Sequence, residues 1–240
     1  MTRNDDEVMK TFESTSAVKL RAVVAALLLA IGFLLYHAAV VIHPLGTTNG
    51  LGGQVSLAAS YPSEILLFCV LYLVSSIALV PGLVLLAGLV HARGAWFTFA
   101  AISVVLIGSL GNVGESAFKI AFVAIAPNPG HGQFVAAMSD LNAYVGPFLA
   151  LAAVFDLGLL LLCAAMWRAR LVPAWPLVVT LAGDVIAAFA FGGKPGIDAG
   201  LVVGTIGLLW MCTGIARAPR AEITYRPSVT SLDPQAGTTV

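Results

Sequence analysis

Four charged side chains stand out inside apolar runs long enough to cross a bilayer. Glu115 and Lys119 share one run, and Asp156 and Asp184 lie in two others. A charge in hydrocarbon is costly, so such residues usually face a bundle interior, and each is a candidate for function. Asp156 lies 12 residues before Arg168, which is ~18 Å along a helix, and Asp184 lies 11 residues after Pro173, ~16 Å along the next. Consecutive antiparallel spans would bring them to one level. Two carboxylates in a low-dielectric site do not comfortably both ionise, so one would hold a proton near neutral pH. Such a pair can carry protons in a transporter or serve as a general acid toward a lipid-soluble substrate. The plainer alternative is that each accepts hydrogen bonds from Ser, Thr or Asn on neighbouring helices.

Glu115 and Lys119 are spaced i, i+4 with the acid N-terminal, the favourable order on a helix. Counted from Ala95 they lie ~30 and ~36 Å along it, near one end. They make either an interfacial ion pair with Lys119 snorkelling to water or a binding anchor at the outer mouth, with Glu115 a third candidate acid. Asn112 sits beside them. Tyr36 and His37 lie ~22–24 Å from Arg21 on the first span; His37 is either a proton-relay partner or a structural histidine. Tyr36, His37, Asn112 and Lys119 are therefore the candidate ligand-binding residues. His43, His91 and His131 have no metal-ligand spacing, and Cys69, Cys163 and Cys212 stand singly in apolar runs as buried thiols without a disulfide. No Gly-rich phosphate loop with a lysine, H-E-x-x-H or nucleophile elbow occurs, so no metal or cofactor is expected.

These residues need elements to hold them. Of 240 residues, 59% are hydrophobic and 10% charged, against roughly 25% charged in soluble domains. Such a chain cannot clothe a water-facing surface, and lipid is its natural solvent. Six runs approach the ~20 apolar residues of a span: Arg21–His43, Glu64–His91 (interrupted by Pro81-Gly82), Trp96–Ile125, Leu141–Trp167, Pro173–Phe191 and Gly196–Ile215. The expected fold is an all-α polytopic transmembrane bundle. Residues 1–20 form an N-terminal tail, 21–217 the membrane domain and 218–240 a Pro-, Ser- and Thr-rich disordered tail. Ten basic residues (Arg3, Lys10, Lys19, Arg21, Arg93, Arg168, Arg170, Arg217, Arg220, Arg226) fall on one side against Lys194 on the other, which places both termini in the cytoplasm. The uncharged, Gly-rich stretch Pro44–Ser63 reads as an outer loop, interfacial or re-entrant. Net charge is zero with no dense basic cluster, which excludes nucleic acid as a partner.

Gly196, Gly200 and Gly204 repeat every four residues on the sixth span, a face that lets another backbone approach. Its use is packing within the chain or homo-oligomerisation. Gly108, Gly111 and Gly114 form a second small-residue face.

The layout resembles a group of uncharacterised six-helix integral membrane proteins of actinobacterial type. The resemblance is carried by the short basic inner loops, the stretch Gly111-Asn-Val-Gly-Glu-Ser-Ala-Phe118 and the span ending Gly207-Leu-Leu-Trp-Met-Cys212. It covers Arg21–Ile215 and implies no activity. The chain is also similar, in size and in its embedded carboxylates, to small integral-membrane terpene cyclases, with no catalytic residue carried over. Three functions follow as expectations. The first is a multi-pass plasma-membrane protein that binds or moves a small lipophilic molecule, with proton coupling. The second is a membrane-embedded acid–base enzyme of cyclase or isomerase type on a lipid or isoprenoid. The third is a non-catalytic partner subunit.

Overall fold

The computed structural model describes residues 3–44, 50–90, 94–128, 142–189 and 193–217, with isolated positions between 130 and 136. The 218–240 tail, Arg93, His91, His131 and residues 45–49 lie outside the described residues. Seven α-helices and no strand occur among those described: α1 Arg3–Ile42, α2 Gly50–Ser60, α3 Pro62–Ala87, α4 Ala95–Ile125, α5 Asn142–Arg168, α6 Trp175–Ala188 and α7 Lys194–Arg217. Four carry segments long and apolar enough to cross a membrane: Ser16–Ile42, Pro62–Ala87, Ala95–Ile125 and Lys194–Arg217. The outward faces are apolar, with Ile77 72% and Leu110 68% exposed, while Asn112, Ser116 and Lys119 are buried. That inversion of the usual soluble pattern suits a molecule bathed in lipid.

Several boundaries differ from the sequence reading. The helix carrying the first span begins at Arg3, so residues 3–20 are continuous with it. The Pro44–Ser63 stretch contains α2, whose Val55 and Ala58 pack on Phe122 and Ala126 at the far end of α4. Two apolar residues at i and i+3 sufficed to bury one helical face, a signal masked by the glycines. α3 runs through Pro81 without ending. Pro81 lies on the exposed side, where a missing donor disturbs no tertiary contact, and Gly82 faces Leu29 on α1. α6 is only 14 residues, ~21 Å long against ~30 Å of hydrocarbon.

The long helices alternate in direction around the bundle. Ser75 Oγ donates to the Gly32 carbonyl at 2.8 Å and Tyr36 stacks on Tyr72, which sets α1 antiparallel to α3. Cys69 reaches the Ser116 carbonyl, and Lys119 lies over the Phe68 ring, setting α3 against α4. A methyl built on Gly108 would sit 2.4 Å from the Phe155 Cα, and one on Gly158 2.8 Å from the Val105 nitrogen. These reciprocal glycines let α4 and α5 meet backbone to backbone, the most extensive contact in the molecule. Lys194 donates to the Val41 carbonyl, bringing the start of α7 to the end of α1. By contrast α5 and α6, though consecutive, touch sparingly. The body is thus a four-helix group of α1, α3, α4 and α5 with an α6–α7 hairpin attached through α1, and α5 and α6 are only loosely apposed.

The hairpin is closed by glycine. A methyl on Gly200 would meet the Ala187 nitrogen at 2.5 Å, and one on Gly183 the Gly204 nitrogen at 2.3 Å. The close approach that the Gly200/Gly204 stripe permits is therefore made within the chain, against α6. Gly200→Leu should lose at least the ~1–3 kcal/mol typical of overpacking, read as a lower melting temperature in detergent. Gly132→Ala, where a methyl meets nothing within 4 Å, should leave it unchanged. Equal stability of Gly200→Leu and the wild type would show that the hairpin contact is not tight.

Candidate functional site

The interior of the four-helix group is polar where α1, α3, α4 and α5 converge. Tyr36, on α1 and 5% exposed, points at α5 because its helix presents Leu29, Phe33, Tyr36 and Ala39 to the core at the 3–4-residue spacing of a buried stripe. Its hydroxyl donates to Asp156 Oδ1 at 2.7 Å, the short distance of a charge-assisted bond. The ring packs on Phe155 at 4.5 Å and stacks on Tyr72 at 5.2 Å between centroids. The Tyr72 hydroxyl interacts with that of Tyr36 and senses the charge of Glu115.

Asp156 sits midway along α5, yet its side chain is exposed while its neighbour Phe155 is fully buried. It lies on the helix that makes the loose α5–α6 seam. Asp184 is on the facing side of α6, one turn beyond Thr180, whose hydroxyl lies 3.8 Å from Cys163 Sγ of α5. Its charge and that of Asp156 interact. Asp156 is exposed and Asp184 partly so. No cation interacts with either carboxylate among the described residues.

Toward the other end, Lys119 is 8% exposed. It bonds Glu115 at 2.7 Å and His43 Nε2 at 2.8 Å, and lies 4.1 Å from the Phe68 ring centre. The snorkelling expectation is corrected here: Lys119 turns inward, because Asn112, Glu115, Ser116 and Lys119 fall at i, i+3, i+4 and i+7 on the buried face of α4. A protonated lysine donates, so His43 accepts through an unprotonated Nε2. His37 stands outside this chain of groups. It is buried, and its Nδ1 bonds the Phe33 carbonyl at 2.9 Å, a contact that satisfies it locally. Asn112 is buried with its Oδ1 unpartnered.

No family model, no curated protein and no solved structure matches this chain.

The arrangement brings Tyr36 and Asp156 together, and Glu115 and Lys119 together, with Tyr72 stacked on Tyr36; Asp184 stands on the neighbouring helix, with its Oδ1 near Gly204. Sequence reasoning missed Tyr72 and set His43 aside. The signal for Tyr72 was present, as a hydroxyl-bearing ring in an apolar run at i+4 from Phe68 and i−3 from Ser75. His43 had none, since its partner is 76 residues away. Among the described residues no group of three His, Cys, Asp or Glu side chains could hold a metal. A cavity of 530 Å³ beside Phe97, Trp167, Arg168 and Arg170 opens at the opposite, basic end and does not reach these groups.

Chemically, the site offers hydroxyl and carboxyl groups in sequence, each able to take or give a proton, with an accessible carboxylate at one end. The Glu115–Lys119 pair is largely desolvated, with side chains 17% and 10% exposed. Removing one member of such a pair typically costs about 3–5 kcal/mol because the other is left uncompensated. Lys119→Met should therefore be strongly destabilising in thermal melts, and Glu115→Leu/Lys119→Met should recover most of the loss. A double variant as unstable as the sum of the singles would argue against a shared buried pair.

Proposed function

We propose that this protein is a six-span plasma-membrane protein with both termini cytoplasmic that binds and moves a small lipophilic molecule, coupled to protons. The observation that carries the reading is the Tyr36–Asp156 hydrogen bond beside the loose α5–α6 seam, with Asp184 and Tyr72 in its electrostatic neighbourhood. An unneutralised carboxylate at this depth binds a proton or a polar group of a guest readily, because hydrocarbon offers it nothing else.

The six-span topology draws support from the alternation of the long helices, which leaves the start of the α1 span and the end of α7 at the same end of the bundle. All four tryptophans, Trp96, Trp167, Trp175 and Trp210, are at least half exposed toward that end, together with Lys19, Arg21, Arg168, Arg170 and Arg217. Amphipathic rings at headgroup level beside cytoplasmic basic residues are the usual marks of an inner interface. α6 is short for a span, and its flanking residues would make up the length with local thinning. Cysteines introduced at Thr48 and Gly132 should react with an impermeant maleimide from outside intact cells, and one at Arg93 should not. Outside labelling at Arg93 would sink the orientation.

The second reading, an acid–base enzyme on an isoprenoid, is favoured by the exposure of Asp156, which suits a general acid as well as a proton carrier. One experiment separates the two. Proteoliposomes loaded with a pH-sensitive dye are challenged with a panel of lipophilic amines, alcohols and isoprenoid alcohols, and the lipid fraction is then assayed for new products. Proton flux with at least one member and no product is expected. Asp156→Asn, nearly isosteric, should cut the flux about a hundredfold or more, the range for loss of a proton-transfer group, at unchanged melting temperature. Tyr36→Phe should cut it less. Product without flux selects the enzyme, and wild-type flux in Asp156→Asn refutes both readings of this carboxylate.

A further inference from the structure

Asn112 and Ser116 present a different puzzle. Asn112 is 3% and Ser116 0% exposed, yet Asn112 Oδ1 and Ser116 Oγ have no hydrogen-bond partner. Buried polar side chains almost always have one, and an exception calls for an explanation such as an ordered water. Ser116 is the more telling. Several other hydroxyls inside these helices fall back on the carbonyl one turn earlier: Ser76 on Tyr72, Ser109 on Val105, Thr180 on Pro176 and Thr205 on Leu201, all at 2.7–3.1 Å; Thr98 Oγ1, near the start of α4, is the third orphan, but it stands alone, with neither Asn112 nor Ser116 within a turn. Ser103 does the same even at a less buried position, at 2.9 Å from the Phe99 carbonyl. Ser116 forgoes that bond in the driest setting of all.

Asn112 and Ser116 are also neighbours. Their i, i+4 spacing puts the two side chains about 5–6 Å apart at Cβ, and two hydrogen bonds of about 2.8 Å through one oxygen span that gap. Around them on the same face stand Glu115 and Lys119, and Tyr72 across on α3 senses Glu115. A buried water needs a polar site and two to four partners, and this place offers them.

We propose that Asn112 Oδ1 and Ser116 Oγ bind an internal water molecule that joins the Asp156–Tyr36–Tyr72 groups to Glu115. The water donates one O–H to Asn112 Oδ1 and accepts the Ser116 hydroxyl proton. Its second O–H is left for the Tyr72 oxygen or the Glu115 carboxylate. Without it the polar chain is broken at α4, since no direct hydrogen bond between Tyr72 and Glu115 closes the gap. The binding site stands on the two orphaned atoms, and its part in a proton path rests on the transport reading above.

The test uses the full chain in phosphatidylcholine nanodiscs, free of any cargo, with thermal melts as the first readout. An empty site predicts that Asn112→Leu and Ser116→Ala each raise the melting temperature, because each deletes a buried group with no partner. A shared water predicts that each lowers it. It also predicts that Asn112→Leu/Ser116→Ala is no worse than the poorer single variant, the non-additivity of two groups holding one guest. The second readout is water-to-side-chain magnetisation transfer by solid-state NMR at the 15N-labelled Asn112 amide, expected in the wild type and lost in Ser116→Ala. Stabilised single variants, or no transfer in the wild type, overturn the proposal, including the case in which a cargo hydroxyl or amine fills the place instead. Proton flux separates the layers. If the melts and transfer hold while Ser116→Ala keeps full flux, the water site stands and its place in the proton path falls. If flux drops about tenfold alongside them, both stand.

Discussion

A polar group in the middle of a lipid-facing bundle has no bulk water as a second choice, so its partner must be built into the protein. That constraint orders the interior of this molecule. Tyr36 reaches across from α1 to α5 because Asp156 is there to accept its proton. Lys119 bends inward because Glu115, His43 and the Phe68 ring together replace the water that snorkelling would have given it. Several lone hydroxyls bond their own helix.

The same constraint explains the division of labour between glycine and aromatic residues. Helix contacts in lipid gain little from the hydrophobic effect and rely on close packing. At α4–α5 and α6–α7 the contacts are made by glycine against backbone, through Gly108, Gly158, Gly183 and Gly200. At α1–α3 the rings of Tyr36, Tyr72, Phe68 and His43 pack in an unbroken series. The first kind of contact sets rigid walls. The second places hydroxyls and a histidine between them. The α5–α6 seam is sparse and closed by neither kind, and Asp156 and Asp184 lie on the two helices that form it.

Much of this was legible in the residues. The apolar runs, the basic asymmetry and the i, i+4 pair required no partner from elsewhere in the chain, because hydropathy and helical period are local properties. The depth of Asp156 and Asp184 followed from counting residues. So did the buried stripe of Asn112, Glu115, Ser116 and Lys119, although its inward direction did not: a stripe with two charges reads equally well as a solvated edge. The extra helix α2 was hidden by its glycines, and the shortness of α6 by the apolar residues that continue past its end.

What the sequence by itself determined is the class of molecule, an all-α chain with an apolar exterior and a small set of charges too costly to be idle. What the tertiary structure alone decided is who meets whom. Tyr36 and Asp156 are 120 residues apart, and Lys119 and His43 are 76 apart. Nothing in a local pattern encodes such a pairing, which depends on which helix faces pack and in what register. His37 and Tyr36 are adjacent in the chain, yet a turn of 100° per residue sends one to its own backbone and the other to the centre of the site.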